Sequence, residues 1–171
     1  MAKPISVRKK EIEYDEIKGI HKTITNYQKI LDEIQSLFLT SNHEITIFAS
    51  TKILCSVLNR NNLVKYLPIL LERNLTVKIL TDSKDDYLIK QVNSLDTLNP
   101  KKPIQLGYSN KIGELNEMTI ISDDKRILNT RYDRDNNLIA TFSNEESSIL
   151  VQGLMFEKYW NEVKNMEINN H

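Results

Sequence analysis

The most regular hydrophobic pattern of the chain lies between Tyr14 and Leu39. Apolar residues recur there in alternating steps of three and four, which is the spacing of one helix face: Ile17, Ile20, Ile24, Tyr27, Leu31, Ile34 and Phe38. The pattern covers about three heptads and predicts a long N-terminal helix. Such a helix could pack on its own domain, or it could pair with a second copy as a dimer and signalling helix. The pattern leaves both options open.

Beyond this segment, short alternating runs and helical runs follow one another. Strands are predicted at 44–49, 76–80, 104–107, 118–121, 126–130 and 138–142. Helices are predicted at 51–58, 62–73, 83–95 and from Ser143 or Asn144 onwards. This order implies an α/β fold, a mixed β-sheet flanked by helices on both faces. Residues 1–12 are basic and contain Pro4. We therefore expect a flexible lead-in followed by a single domain over residues 13–167.

Composition narrows the class of protein. Among 171 residues, 23 Lys and Arg balance 23 Asp and Glu. This balance argues against a nucleic-acid binder that relies on bulk positive charge, so we expect no direct contact with nucleic acid. The single cysteine, Cys55, fits a reducing compartment, and no apolar run approaches the roughly 18 residues that cross a bilayer. We expect a cytoplasmic protein without membrane contact.

Motifs for cofactors and metals are missing from the sequence. His21 lacks the acidic neighbour of a phosphate-accepting histidine, His43 falls in a predicted turn, and His171 is the terminal residue. The four glycines lie far apart, so they form no phosphate-binding loop. The aspartates of the predicted turns have neither histidine partners nor the spacing of a calcium loop. We therefore expect no cofactor and no metal.

Two stretches resemble half of a phospholipase D-like domain, namely residues 71–80 and the strand that ends at 122–124. In that superfamily a His-x-Lys-x4-Asp motif supplies the histidine nucleophile and a phosphate-binding lysine. The matching positions here are Asn116, Met118 and Asp123, so only the acidic position is kept. An amide cannot replace the imidazole nucleophile, and a thioether cannot replace the ammonium group. The resemblance therefore implies a degenerate active site and a chain that is not an enzyme of this type.

A closer likeness covers about residues 15–165. The segments 138–144 and 156–160 are similar to sensor regions of archaeal signal-transduction histidine kinases. These regions, like the effector parts of some archaeal transcription regulators, use a phospholipase D-like scaffold without its reactive residues. The resemblance implies a non-catalytic sensor or regulatory domain, with a kinase or regulator module as its partner. Because this fold habitually pairs two halves, the resemblance also implies a homodimer.

Candidate ligand-binding residues follow from the predicted sheet. In open α/β sheets, ligands approach the carboxyl ends of strands, and these ends carry Ser50, Thr51, Thr81 and Asp82. The same side chains are typical helix caps, and one group can do both jobs. If they bind a small polar effector, the effector would shift the packing of the first or last helix, and a helical extension or dimer partner would sense that shift.

One alternative belongs to a different functional class. Asp123, Asp124 and Lys125 follow a predicted strand directly. They could serve a metal-dependent phosphodiesterase or nuclease that uses a residue set other than His-x-Lys. The sequence leaves this alternative open beside the sensor interpretation.

Overall fold

A mixed sheet of seven strands organises the part of the chain that the computed structural model describes, residues 19–60, 65–95, 97–102, 104–113 and 115–169. In chain order the strands are β1 His21–Ile24, β2 Glu44–Ala49, β3 Thr76–Thr81, β4 Gln105–Tyr108, β5 Glu117–Ser122, β6 Arg126–Tyr132 and β7 Leu138–Ser143. Their spatial order is β1-β7-β6-β5-β2-β3-β4. Strands β2, β3 and β4 run parallel, and every other neighbouring pair is antiparallel.

Helices cover both faces of this sheet. They are α1 Tyr27–Thr40, α2 Thr51–Arg60, α3 Tyr66–Glu72, α4 Asp86–Leu95 and α5 Glu146–Asn169, with a short 3-10 helix at Asn110–Ile112. Helices α1 to α4 bury their apolar sides in one large core, which also contains Ile47 and Ile79 of the sheet. Helix α5 packs on the opposite face against Phe48 and Leu80. Successive strand residues point to opposite faces, so each parallel strand contributes to both cores. The predicted α/β class with a mixed sheet is confirmed.

The predicted helix from Tyr14 to Leu39 is wrong over residues 19–26. Residues 21–24 form β1, which pairs with β7, and α1 begins only at Tyr27. Asn26 caps α1, because its side chain accepts a hydrogen bond from the Lys29 N–H at 3.0 Å. Ile20 and Ile24 are four residues apart, an even spacing that places them on one face of a strand as well as of a helix. The earlier residues of the pattern, including Ile17, lie outside the described range.

The expected dimer seam packs within the domain instead. Leu31 and Ile34 are 8% and 0% exposed, and both lie on the buried side of α1. Ile20 and Ile24 are partly buried against the same core. Within the described part of the seam, Tyr27 alone is largely exposed, at 47%. These residues therefore support the option of a helix packed on its own domain, and a homodimer through them has no support.

Three expectations concern the chain as a whole. The lead-in predicted at residues 1–12 lies outside the described residues. Within the described ranges, every helix falls short of the length and apolar character that a bilayer crossing requires. The predicted strands and helices after residue 40 are present with shifted ends. Helix α3 begins at Tyr66, and the start predicted for it at residue 62 lies outside the described residues.

Candidate functional site

The carboxyl ends of β2 and β3 carry a connected cluster of polar groups. Thr51 donates its backbone N–H and its hydroxyl to Asp82 Oδ1, at 2.9 and 3.0 Å. Ser83 Oγ donates to Thr51 Oγ1 at 3.0 Å, and Thr81 Oγ1 donates to the Ser83 carbonyl at 2.8 Å. Asp82 thus satisfies an N–H group in the first turn of α2. The predicted ligand residues come together here, and their hydrogen bonds join the start of α2 to the end of β3.

Ser50 completes this edge from the backbone. Its N–H donates to the Glu117 carbonyl at 2.9 Å, and its own carbonyl accepts the Leu54 N–H at 3.0 Å. The residue is 6% exposed. Ser50 therefore links β2, β5 and α2, and little of it is accessible to a ligand.

Beside the polar cluster, a cavity of about 560 Å³ opens around the edge strand β4, between α4 and the C-terminal part of α5. Its apolar lining comes from Leu88, Ile89, Val92, Ile104, Leu106 and Val163. Its polar lining comes from Thr81, Ser83, Lys84, Asp85, Asn93, Tyr108, Ser109 and Asn110. A concave site that combines apolar walls with polar side chains can hold a small molecule. Thr81 is the one predicted ligand residue that lines this cavity.

The charged residues of the cavity are Lys84 and Asp85. Lys84 is exposed, whereas Asp85 Oδ1 accepts the Leu88 N–H at 2.8 Å and so caps α4. The Cys55 thiol lies 4.0 Å from the same oxygen. Burial, and secondly the Asp85 carboxylate, raise the pKa of the Cys55 thiol. The thiol therefore carries little thiolate at neutral pH, and it is a poor candidate for a nucleophile.

The last helix forms part of the cavity wall. Val163 of α5 lines the cavity, and so does Gly107 of β4. A Cβ atom at Gly107 would lie 3.1 Å from the Trp160 ring and 3.2 Å from Val163, so α5 lies directly against β4 at this point. Phe156 stacks on Trp160 with a centroid distance of 5.4 Å, which anchors this part of α5 to the sheet.

The positions that match the His-x-Lys-x4-Asp motif do not come together. Asn116 is exposed just before β5, and Met118 is 1% exposed in the large core. Asp123 follows β5 at its other end, and an extended strand places it about 20 Å from Asn116. A lysine at position 118 would have to place its ammonium group in the apolar core, whereas the methionine packs there without that cost.

Asp123 organises the turn between β5 and β6. Its carboxylate accepts backbone N–H groups of Asn42, His43 and Glu44 at 2.8, 2.8 and 2.9 Å. Partial burial raises the pKa of Asp123, but these hydrogen bonds and the nearby Arg126 outweigh burial, so the pKa is lowered. The carboxylate is thus engaged in holding the loop before β2.

The metal-dependent alternative would need further ligands near Asp123 and Asp124. Across the described residues, there is no group of three or more His, Cys, Asp or Glu side chains that could hold a metal ion. Both aspartates have a positive φ of 54°, which fits the tight turn that they form with Lys125. The geometry of this turn accounts for the acidic pair.

Comparison with known proteins finds similarity in structure alone. No protein-family model matches the chain, and no curated protein does. TrmBL2, described as an archaeal chromatin protein with a novel mode of DNA binding, aligns with a TM-score of 0.61 and 12% identity over 94% of this chain. Phosphatidylserine synthase from Haemophilus influenzae Rd KW20 aligns with a TM-score of 0.59 and 10% identity over 89% of this chain. Polyphosphate kinase from Porphyromonas gingivalis aligns with a TM-score of 0.56 and 9% identity over 81% of this chain. The alignments cover 63%, 40% and 25% of those proteins, less than two thirds in each case.

These likenesses show the fold and correct one expectation. Both enzymes have folds of the phospholipase D superfamily, so they support the predicted phospholipase D-like fold. The expectation of no direct contact with nucleic acid is contradicted, because TrmBL2 is a DNA-binding protein with a similar fold. A net charge of zero sums over the whole chain and does not report how charges are distributed over the surface. The chain thus shares its α/β fold with two enzymes and with a chromatin protein that binds DNA.

Proposed function

We propose that this chain is a non-catalytic sensor or regulatory domain of a cytoplasmic signal-transduction or transcription-regulatory system. The observation that carries the proposal is the cavity around β4, which has the size and mixed lining of a small-molecule site. A small effector that carries polar groups on a partly apolar body is the ligand that fits this lining. The likeness of segments 138–144 and 156–160 to sensor regions of archaeal histidine kinases supports the same role.

The lining favours a ligand with both apolar and polar surface. Ile89 of α4 and Leu106 of β4 are half-buried and supply apolar contact area, and burial there excludes water from the ligand. Asn93, Tyr108 and Asn110 place amide and phenol groups at the exposed part of the cavity. These groups can both donate and accept hydrogen bonds, so they suit hydroxyl, amide or carboxylate groups of an effector.

Signal output through α5 follows from the shared wall. A ligand that contacts Val163 changes the packing of α5 on β4, where Gly107 leaves no space for adjustment on the strand side. The ligand shifts this packing only by the difference between its affinities for the two arrangements. A kinase or regulator module that contacts α5 would then sense occupancy of the cavity.

The absence of catalysis in this proposal is supported by Met118. The position that the superfamily uses for a phosphate-binding lysine holds a thioether in the core. We expect no hydrolysis of a generic phosphodiester such as bis(p-nitrophenyl) phosphate in the presence of Mg²⁺ or Mn²⁺. Hydrolysis that is lost in Asp123→Asn but kept in Lys125→Gln would contradict the proposal in favour of the metal-dependent alternative.

The experiment that tests effector binding compares two tyrosines. Tyr108 and Tyr87 are both 49% exposed, but Tyr108 lines the cavity and Tyr87 does not. A panel of sugars, amino acids, nucleosides and organic acids is screened for compounds that raise the unfolding temperature of the wild type. We expect Tyr108→Ala to weaken binding of a hit by about tenfold, which corresponds to about 1.4 kcal/mol, and Tyr87→Ala to leave it unchanged. Equal effects of the two variants, or no hit, would contradict the proposal.

A second candidate function is direct contact with DNA, and the likeness to TrmBL2 over 94% of this chain favours it. It is tested by fluorescence anisotropy with a labelled DNA duplex at two salt concentrations. Binding that weakens steeply as salt rises would support it, because phosphate contacts release counterions. No binding at the lower salt concentration would remove this candidate and leave the effector proposal unaffected.

A further inference from the structure

Strand β4 ends the described sheet, and the cavity lies along its free side. The cavity touches Leu106 and Tyr108 of β4, Ile89 of α4 and Val163 of α5. Helices α4 and α5 pack on opposite faces of the sheet. A single cavity that reaches both helices therefore passes around β4, where no further strand of the described chain separates them. The backbone of β4 is thus part of the cavity wall.

Alternate residues of β4 direct their backbone groups into this space. The Ser109 N–H donates to the Thr81 carbonyl at 3.0 Å, so the backbone groups of Ser109 face β3. Thr81 pairs with Tyr108 in the parallel register, which gives the backbone groups of Gly107 the same direction. The N–H and C=O groups of Leu106 and Tyr108 consequently point away from β3. Because β4 is the last strand in the described part of the sheet, no strand there pairs with them.

The spacing of these backbone groups indicates which ligand can use them. Leu106 and Tyr108 each offer one donor and one acceptor, and two residues of an extended strand span about 6.6 Å. Another extended peptide repeats a donor and an acceptor at the same interval, whereas a sugar or a nucleoside has no such repeat. Pairing with a strand edge supplies affinity through the main chain, and pockets for alternate side chains add specificity.

The two walls of the cavity suit the alternating side chains of such a peptide. Successive residues of a strand point to opposite faces of the sheet, so one peptide residue faces α4 and the next faces α5. On the α4 side, Ile89 and Leu106 are half-buried and offer apolar contact. On the α5 side, Val163 lines the cavity. Strand β4 itself contains neither a charged residue nor a proline, the residue types that commonly prevent pairing at a sheet edge.

We propose that the effector of this domain is a short peptide in an extended conformation, which adds a strand to the free side of β4. The inference rests on the proposed function, because it names the ligand class of the same cavity. The peptide backbone exchanges hydrogen bonds with Leu106 and Tyr108, and an apolar side chain of the peptide contacts Ile89. Strand β4 has four residues, so a peptide of about the same length pairs along all of it.

N-methylated peptides test the backbone pairing. A library of acetylated tetrapeptide amides is added to the panel of small compounds, and isothermal titration calorimetry measures the affinity of the best hit. Two analogues of this hit carry N-methyl groups, one at its first and third residues and the other at its second and fourth. Only one of these sets faces β4, so we expect one analogue to bind about tenfold more weakly and the other to keep the parent affinity. Equal affinities of the two analogues would overturn the proposal.

A pair of variants locates the peptide on β4. Tyr108→Ala and Tyr108→Pro both remove the phenol, but only the proline also removes the outward N–H. Proline is tolerated in an edge strand where this position faces away from the sheet. We expect Tyr108→Pro to bind the hit about tenfold more weakly than Tyr108→Ala does, and equal binding would contradict pairing at Tyr108. The two analogues are compared on the wild type, so they decide the question even if Tyr108→Pro does not fold.

The outcomes also separate this inference from the proposed function. If a sugar, nucleoside or organic acid binds in a manner that depends on Tyr108 and no tetrapeptide binds, the peptide inference is wrong and the effector proposal stands. If neither class of compound binds, both are wrong. A tetrapeptide that binds with the expected difference between its two N-methyl analogues supports both.

Discussion

The amino ends and the carboxyl ends of the parallel strands β2 and β3 both carry short polar side chains, but these side chains have different surroundings. The amino-end edge and the carboxyl-end edge are the sides of the sheet where these strands begin and end. At the amino-end edge, Ser41 Oγ and Ser122 Oγ lie 2.7 Å apart, and Arg126 donates to Ser122 Oγ at 2.9 Å. Asp123 accepts three backbone N–H groups at the same edge. At the carboxyl-end edge, Thr51 and Asp82 cap a helix in a similar way, but a cavity of about 560 Å³ opens beside them.

The difference follows from the connections at each edge. At the amino end, β2 is preceded by a short loop whose backbone lies on Asp123, so little space is left. At the carboxyl end, β3 continues through α4 before the chain returns as β4. Parallel strands require such a crossover, and the helix leaves a gap at the end of the edge strand. Polar residues alone thus do not mark a ligand site, because the space beside them depends on the crossover.

Asp123→Ala is expected to have the largest effect on stability, and it tests the hydrogen bonds at the amino end of β2. The variant leaves three backbone N–H groups without their acceptor, and we expect a loss of about 2 kcal/mol in the free energy of unfolding. Urea unfolding measures this loss. Asp124→Ala is the matched control, because both residues have a φ of 54° and the same change in backbone preference. Equal losses in the two variants would show that the hydrogen bonds contribute nothing.

Asp82→Ala makes the corresponding change at the carboxyl ends of β2 and β3, beside the cavity. We expect a loss of about 1 kcal/mol, because the Thr51 N–H in the first turn of α2 loses its acceptor. Asp82→Asn keeps an acceptor oxygen at the same position and should lose less than half as much. The same urea experiment measures both variants. If Asp82→Ala loses no unfolding free energy, the hydrogen bond to the Thr51 N–H does not stabilise the fold. Asp82, unlike Asp123, would then be free to bind a ligand.

The pH dependence of unfolding distinguishes the two edges by a smaller effect. The pKa of Asp123 is lowered in the folded chain, so the unfolded chain binds its proton at a higher pH than the folded chain does. Its contribution is therefore complete above the ordinary value of 3.8 and is lost as pH falls through the lower folded value. The difference in unfolding free energy between the wild type and Asp123→Asn should shrink below that pH. A constant difference down to pH 2 would contradict the lowered pKa.

The sequence predicts the sheet better than it predicts the first helix. Strands β2 and β3 are central and buried, and their β-branched and apolar runs identify them directly. Strand β1 has four residues at the sheet edge, and only Ile24 among them is apolar. The spacing from Ile20 to Ile24 fits a strand and a helix equally, so the same pattern runs across both. The signal that separates them is Asn26, a typical N-cap immediately before α1.

The cavity is much harder to predict from the sequence. Its lining comes from β3, α4, β4 and α5, which are separated by up to 82 positions between Thr81 and Val163. Their proximity depends on the parallel register of β3 with β4 and on the path of α5 across the other face. Neither feature is a local pattern. The rule that ligands approach the carboxyl ends of strands therefore identifies Thr81. It misses Tyr108 and Asn93, because no sequence motif connects these residues to Thr81.

The smallest expected effect concerns Cys55, which reports on the electrostatics next to the cavity. Because the pKa of its thiol is raised, alkylation by iodoacetamide at pH 8 should be slower than for a free cysteine. Burial is the larger cause and Asp85 the smaller, so Asp85→Asn should accelerate alkylation by only about twofold. Asp86→Asn is the control, since Asp86 is exposed at the start of α4 and does not line the cavity. If both variants react at the wild-type rate, the Asp85 carboxylate has no influence on this thiol, and its field at the cavity wall is weaker than its position suggests.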